Sequence, residues 1–136
     1  MELDQVCAIG QLECWELLRE VNIGRLALSW GAFPAIVPVY FFTDGFDLVI
    51  CLGNDGVPDR SVDHAVVAFA ADAVDPASGT GWTVQVQGMT YVEKDPDPPF
   101  DCDEHGAGRI VRLMPATMSG HRVRLCSLRS ATRTTG

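Results

Sequence analysis

Between Gln11 and Val21 the apolar residues Cys14, Leu17, Leu18 and Val21 fall at i, i+3, i+4 and i+7, the spacing of one helix face. Trp15 widens this stripe, Glu13, Glu16, Arg19 and Glu20 form the wet side, and Gly24 is placed to end the helix. The period then switches to two. In RLALSW (25–30), Leu26, Leu28 and Trp30 share one face of a predicted strand, with Arg25, Ala27 and Ser29 opposite. PAIVPVYFF (34–42) is apolar at both parities and is expected to be buried on both faces. Pro38 removes a ladder donor from it, which marks an edge, a bulge or the approach of a ligand.

TDG (43–45) is a hairpin signal and FDLVICL (46–52) the returning strand. HAVVAFAAD (64–72) is small and β-branched, as a central strand requires. PASGTG turns the chain into WTVQVQGMTYVE (82–93), where Trp82, Val84 and Val86 alternate with Thr83, Gln85 and Gln87, and Gly88 predicts a bulge. A Pro- and acid-rich loop (94–108) precedes two further strands, RIVRLMP and HRVRLCSL, joined by ATMSG. One helix and about seven short strands at hairpin spacing predict a mainly β fold, a small barrel with helical cover. A single domain spans residues 1–126, with 127–136 expected to be a disordered tail.

Composition narrows the class. No run of about 18 apolar residues is available to form a transmembrane helix. The N-terminus has no basic-then-apolar leader, so a cytoplasmic protein is expected, with no membrane partner. The net charge is −8. Residues 44–104 hold thirteen acids against Arg60 and Lys94, whereas residues 105–136 hold six arginines and no acid. An acidic body argues against nucleic acid as a partner. The basic C-terminal third is expected chiefly to pair with the acidic middle, within the chain or across a dimer, and otherwise to gather an anionic ligand. Five cysteines (7, 14, 51, 102, 126) form no C-x-x-C pair, and neither a disulfide framework nor a zinc knuckle follows from them.

Candidate chemistry concentrates in CLGNDGVPDRS (51–61), where glycines and a lone arginine end an apolar run. Such a segment is either a phosphate cradle or a tight turn with an acidic rim. Asp55, Asp59 and Asp63 flank Arg60, so pairing of Arg60 with a neighbouring aspartate is the expectation. Cys102, Asp103 and His105 offer three ligand types within four residues but have no second cluster, and no metal site is assigned. His64 opens a strand and reads as a capping or surface residue. No nucleophile elbow or carboxylate dyad is present.

The ordered set ECWELLREVNIGRLAL (13–28), PAIVPVYFFTDG (34–45), VVAFAAD (66–72), GWTVQVQG (81–88) and RLMPATMSGHRV (112–123) resembles the pyridoxamine 5′-phosphate oxidase-like, FMN-binding split β-barrel proteins, especially their short actinobacterial type. The resemblance covers residues 12–125. It implies a Greek-key split barrel of six to seven antiparallel strands and a homodimer with cofactors in clefts at the subunit interface. It implies that Pro38, Val39, Tyr40 and Phe41 face the flavin ring and that strand 48–54 and the following turn, with Gly53, Asn54 and Arg60, hold the phosphate. Arg25 is placed to reach the cofactor, or else to serve as a surface strand residue. Trp82 and Arg122 would line the cleft or the dimer seam. His121 stands where relatives commonly carry Arg; it is a weak catalytic candidate, an axial ligand in a haem branch, or an exposed turn residue.

FMN-binding relatives carry Arg or Thr before the glycine and Lys or Arg soon after it, whereas this chain has Leu52, Gly53, Pro58 and Asp59 at those places. Three functions therefore stand open. The first is an FMN- or deazaflavin-dependent oxidoreductase acting on a small molecule. The second is a repurposed barrel without a phosphate site, binding a hydrophobic small molecule or guiding a cofactor-free rearrangement. The third is a haem-binding relative.

Overall fold

The computed structural model describes residues 3–53, 56–94 and 108–128. Its elements are strand β1 (Leu3–Ile9), helix α1 (Gln11–Leu18), strands β2 (Ile23–Trp30), β3 (Phe33–Asp44) and β4 (Asp47–Leu52), a single 3₁₀ turn (Asp59–Ser61), and strands β5 (Ala65–Val74), β6 (Thr80–Glu93) and β7 (Arg109–Leu125). All pairings are antiparallel. The order β7-β4-β3-β2-β5-β6 closes on itself through β6–β7, so six strands form a barrel. β1 lies beside the far half of β7, past the segment that pairs with β4.

The alternation seen in the sequence sets the inside of this barrel. Leu26 and Leu28, Val39 and Phe41, Leu48, Ile50 and Leu52, Val67 and Phe69, and Val84 and Val86 all point inward and are buried. Phe41 and Phe69 meet edge-on with centroids 4.8 Å apart, which suits the quadrupoles of the two rings. Helix α1 closes one end with Cys14, Trp15, Leu17 and Leu18, the predicted stripe.

Several expectations are corrected. The helix ends at Leu18, and Gly24 lies inside β2, where the Phe69 ring fills the space a Cβ would need. The N-terminal segment forms a strand that the apolar pattern did not indicate. RIVRLMP and HRVRLCSL are one continuous 17-residue strand, not two joined at ATMSG. Pro115 and Gly120 suggested a break, but β7 absorbs the irregularity as a bulge: Gln87 faces Thr117 while Gly88 faces Pro115, leaving Ala116 as the extra residue. β3 is buried on only one face; on the other, Ile36 and Tyr40 are 69% and 63% exposed. Cys51 is disulfide-bonded, while Cys7, Cys14 and Cys126 are free. Spacing could not reveal such a bond, because it depends on which distant segments the fold brings together. The expected tail from residue 129 onward lies outside the described residues.

The charge asymmetry resolves largely within the chain. Arg112 bonds Glu93 at 2.6 Å, Asp44 at 3.0 Å and Asp47 at 3.3 Å, tying the β3–β4 turn to β6 and β7. These carboxylates hold its guanidinium proton more firmly than usual, the Glu93 hydrogen bond being the largest influence. Arg109 takes Asp59 at 2.6 Å. No helix among the described residues is long and apolar enough to cross a membrane.

Candidate functional site on the outer sheet face

Residues of the parity opposite to the core build an outer surface across β3, β2, β5 and β6. In register across it stand Pro38, Arg25, Ala70 and Gln85, and next to them Ile36, Ala27, Ala68 and Gln87. Short side chains at Ala27, Ala68 and Ala70 keep the middle low between the taller residues of β3 and β6. The result is a groove lined by Ala27, Ser29, Pro34, Val66, Ala68 and Gln87. Val66 is 75% exposed, so the groove has an apolar rim as well as an apolar floor. Gln87 is fixed by a 3.0 Å hydrogen bond from the Thr117 hydroxyl to its amide oxygen, which leaves its NH₂ group as a donor.

At one end of β2, Trp30, on the face of Leu26 and Leu28, meets the glycine-rich segment. The position a Cβ on Gly56 would take lies 3.4 Å from Cη2 of Trp30, and Gly56 itself has φ of +84°. A side chain there would be strained in its backbone, so glycine is favoured, and its methylene would rest at ordinary contact distance on the indole. Gly53 is exposed, Val57, Ser61 and Val62 are buried, and the 3₁₀ turn packs against β2. Its described part is thus a turn anchored by Val57, Ser61 and Val62, with Asp59 and Arg60 outward.

The acids around it are largely engaged. Asp59 is held by Arg109, and Asp63 accepts the Val92 N–H at 3.1 Å and lies 3.2 Å from His64 Nδ1. The Val92 hydrogen bond, with His64 and Lys94 adding to it, holds the Asp63 carboxyl below its ordinary range against a smaller opposing effect of burial. Among the described residues Arg60 is exposed and makes no ion pair, with neither Asp59 nor Asp63; Asp55, the third neighbouring aspartate, lies outside the described residues. Arg109, from a strand remote in sequence, has taken the partner that proximity along the chain would have assigned to it.

The sequence candidates separate into two groups. Arg25, Pro38 and Tyr40 lie together on the outer face, with Arg25 held by Asp72. Gly53 and Arg60 lie beyond the end of β4. Val39 and Phe41 are 5% and 2% exposed and face the core, so only their backbones are available to a ligand. Trp82 is likewise a core residue, a register partner of Arg122, which bonds Glu13 of α1. Strand alternation puts both on the opposite side of the sheet from Arg25. His121 is not a turn residue: it sits within β7 between Thr83 and Ala8. Asn54, Cys102, Asp103 and His105 lie outside the described residues, and no group of metal-ligating side chains occurs among the described ones.

Reading the sequence alone missed Asp63, His64 and Gln87. The available signal was the outward parity of His64 and Gln87 relative to the buried Val67 and Val86.

Residues 11–122 match the protein family described as pyridoxamine 5′-phosphate oxidase. Uncharacterized protein Rv0080 of Mycobacterium tuberculosis is 35% identical over 98 residues, covering 68% of this chain. The chain spans only 64% of that relative's length. Among solved structures, the FAD binding protein from Mycobacterium smegmatis superposes with a TM-score of 0.70 at 24% identity, over 87% of this chain and 98% of that one. A FAD-binding protein from Mesorhizobium loti gives 0.67 at 17% identity, over 86% and 97%. These two likenesses show a shared fold, the split barrel. Taken with the match over residues 11–122, they mean that the chain belongs to the pyridoxamine 5′-phosphate oxidase family.

Proposed function

We propose that this chain is a flavin-dependent oxidoreductase acting on a small molecule, with FMN as its first-choice cofactor and a homodimer as its working form. The observation that carries the reading is a low apolar groove on the outer face of a barrel whose glycine-bearing turn carries Arg60, exposed and without an ion pair among the described residues. A planar ring suits the Ala27–Ala68 floor with Ile36 in register beside it, and a phosphate suits the Arg60 guanidinium with the backbone of Gly53. Similarity to structures named as FAD-binding supports a flavin in general.

A bound flavin would supply hydride or electron transfer. The chain's own contribution is orientation and exclusion of water, so no acid–base constellation in the barrel is required. The exposed Ile36, Tyr40 and Val66 belong to the outer face, and a second copy covering it gives the ligand a dry cleft.

An absorbance spectrum of the purified protein, followed by FMN and deazaflavin titrations, tests this. A yellow protein, or micromolar FMN affinity, supports it. A colourless protein that ignores both cofactors overturns it and leaves a barrel that binds an apolar ligand, a reading favoured by the engagement of Arg25 with Asp72. A Soret band would instead indicate haem. Light scattering reads the dimer separately: a mass near 14.7 kDa removes it.

A further inference from the structure

His64 is the one non-glycine residue with positive φ, +53°, among the described residues. A glycine would adopt this conformation without strain, so the histidine at this place has to be explained by its ring. That ring is fixed from two sides. Nδ1 stands 3.2 Å from Asp63 Oδ1, and Asp63 is itself tied to the Val92 N–H. The ring meets Tyr91 edge-on, with centroids 4.6 Å apart and an interplanar angle of 82°. The Tyr91 hydroxyl in turn reaches Met89 Sδ at 4.0 Å.

An ionised Asp63 can only accept, so Nδ1 carries the proton and neutral His64 presents Nε2 as an acceptor. No described residue takes that Nε2, and the side chain is 70% exposed. The charged groups around it are Asp63 and Lys94, with Glu93 and Arg112 already paired to each other beyond Tyr91.

His64 lies two residues before Val66, on the rim of the groove, and four before Ala68, whose register partner is Gln87. At about 3.3 Å per residue, the acceptor and the Gln87 donor are separated by roughly 13 Å along the sheet. Between them lie Val66 and Met89, both apolar and exposed. We infer that His64 Nε2 is the hydrogen-bond acceptor for the ligand of this groove, with Asp63 as its positioning residue. The ligand is then a fused planar ring system that carries an N–H or O–H donor at one rim and a carbonyl-type acceptor at the other. The identity of that ligand as a flavin rests on the function proposed above; the preset acceptor does not.

The test is long-range ¹H–¹⁵N correlation of the histidine rings in the labelled full chain, with FMN as probe. Expected in the free protein is the Nδ1–H tautomer at His64, lost in Asp63→Asn. On FMN addition the His64 Nε2 resonance moves saturably, with the same midpoint as flavin fluorescence quenching. His64→Asn, which tolerates positive φ and so keeps the fold, weakens FMN about 5-fold, the size of one neutral hydrogen bond. FMN that binds without moving the His64 ring signals overturns the inference while leaving the flavin function intact. If FMN does not bind at all, the flavin function fails, and the tautomer decides the inference alone. Nδ1–H that depends on Asp63 supports it; Nε2–H, or indifference to Asp63→Asn, overturns it.

Discussion

Arg109 Nη1 lies 2.6 Å from Asp59 Oδ1, and this pairing across 50 residues is what leaves Arg60 exposed and without an ion pair among the described residues. The local charge at the 51–61 turn is therefore less negative than its three nearby aspartates suggest. Replacement of Arg60 by Ala removes a cation that makes no ion pair among the described residues, so anion affinity falls without a structural cost. FMN binding is expected to weaken about 10-fold or more, the worth of a charge-assisted hydrogen bond, while the melting temperature moves by no more than a degree or two. Titration calorimetry and thermal melts on the same samples check both halves. Unchanged FMN affinity in Arg60→Ala would remove the phosphate role assigned to this turn.

Arg112 is the single guanidinium on which Glu93, Asp44 and Asp47 converge, and three-quarters of its side chain is out of solvent. Its loss leaves three carboxylates facing one another at the junction of the β3–β4 turn with β6 and β7. Arg112→Met is expected to cost about 2 kcal/mol, a figure below that of a fully buried pair because water reaches the acids. Arg112→Lys should recover only part of this, since an ammonium cannot fork to three partners in fixed geometry. Urea denaturation gives the two values. A lysine variant as stable as the parent would mean that charge alone, not the fork, holds the turn.

The barrel was legible because its strands alternate cleanly: Leu26 and Leu28, Val84 and Val86, and Val67, Phe69 and Ala71 of β5 all face inward as the period of two requires. Helix α1 was legible for the same reason, with Trp15 widening the stripe that caps the barrel. What failed were features decided by distant partners. β7 runs through Pro115 and Gly120 because β6 pairs along its whole length, and local turn signals cannot report that. β1 exists because the second half of β7 has an edge free beyond β4. The outer face of β3 reads as core by composition, since an apolar surface set aside for a ligand or a second copy has the same residues as a buried one. In the site, Arg25, Pro38 and Tyr40 stand on one outer surface while Val39, Phe41 and Trp82 face the core. The sequence alone did not separate these two sets, because resemblance to a family identifies a strand and says less about which of its faces a side chain takes.

Asp63 gives the acid limb of stability a specific contributor. Its carboxyl is held below the ordinary aspartate range in the fold, chiefly by the Val92 N–H. A depressed carboxyl stabilises the fold above its unfolded pKa, and that contribution is lost as pH falls through the folded value. Asp63→Asn should therefore melt lower than the parent near neutral pH, while the two curves converge below about pH 3. Thermal melts from about pH 6 downward read this directly. Parallel curves, offset equally at every pH, would show that Asp63 contributes through its shape and not its charge.

Gly120 of β7 and Cys14 of α1 form the tightest joint between helix and barrel. A Cβ on Gly120 would fall well inside contact distance of Cys14 Sγ and 3.3 Å from Ile9 Cβ. The sulfur is fully buried and its thiol proton lies toward the Ile9 carbonyl at 3.8 Å. Burial, with Glu13 adding to it, pushes the thiol pKa up, so the group acts as a neutral space-filler and not as a nucleophile. Gly120→Ala must push α1 outward, at an expected cost of about 1–3 kcal/mol from overpacking. Cys14→Ala makes room for that methyl while losing some packing of its own. The double variant is then more stable than Gly120→Ala alone, with a favourable coupling of about 1 kcal/mol in a double-mutant cycle. Chemical denaturation of the four proteins supplies the cycle. Simple additivity would show that the helix yields to the new methyl by another route and that the Gly120–Cys14 contact does not set its seat on the barrel.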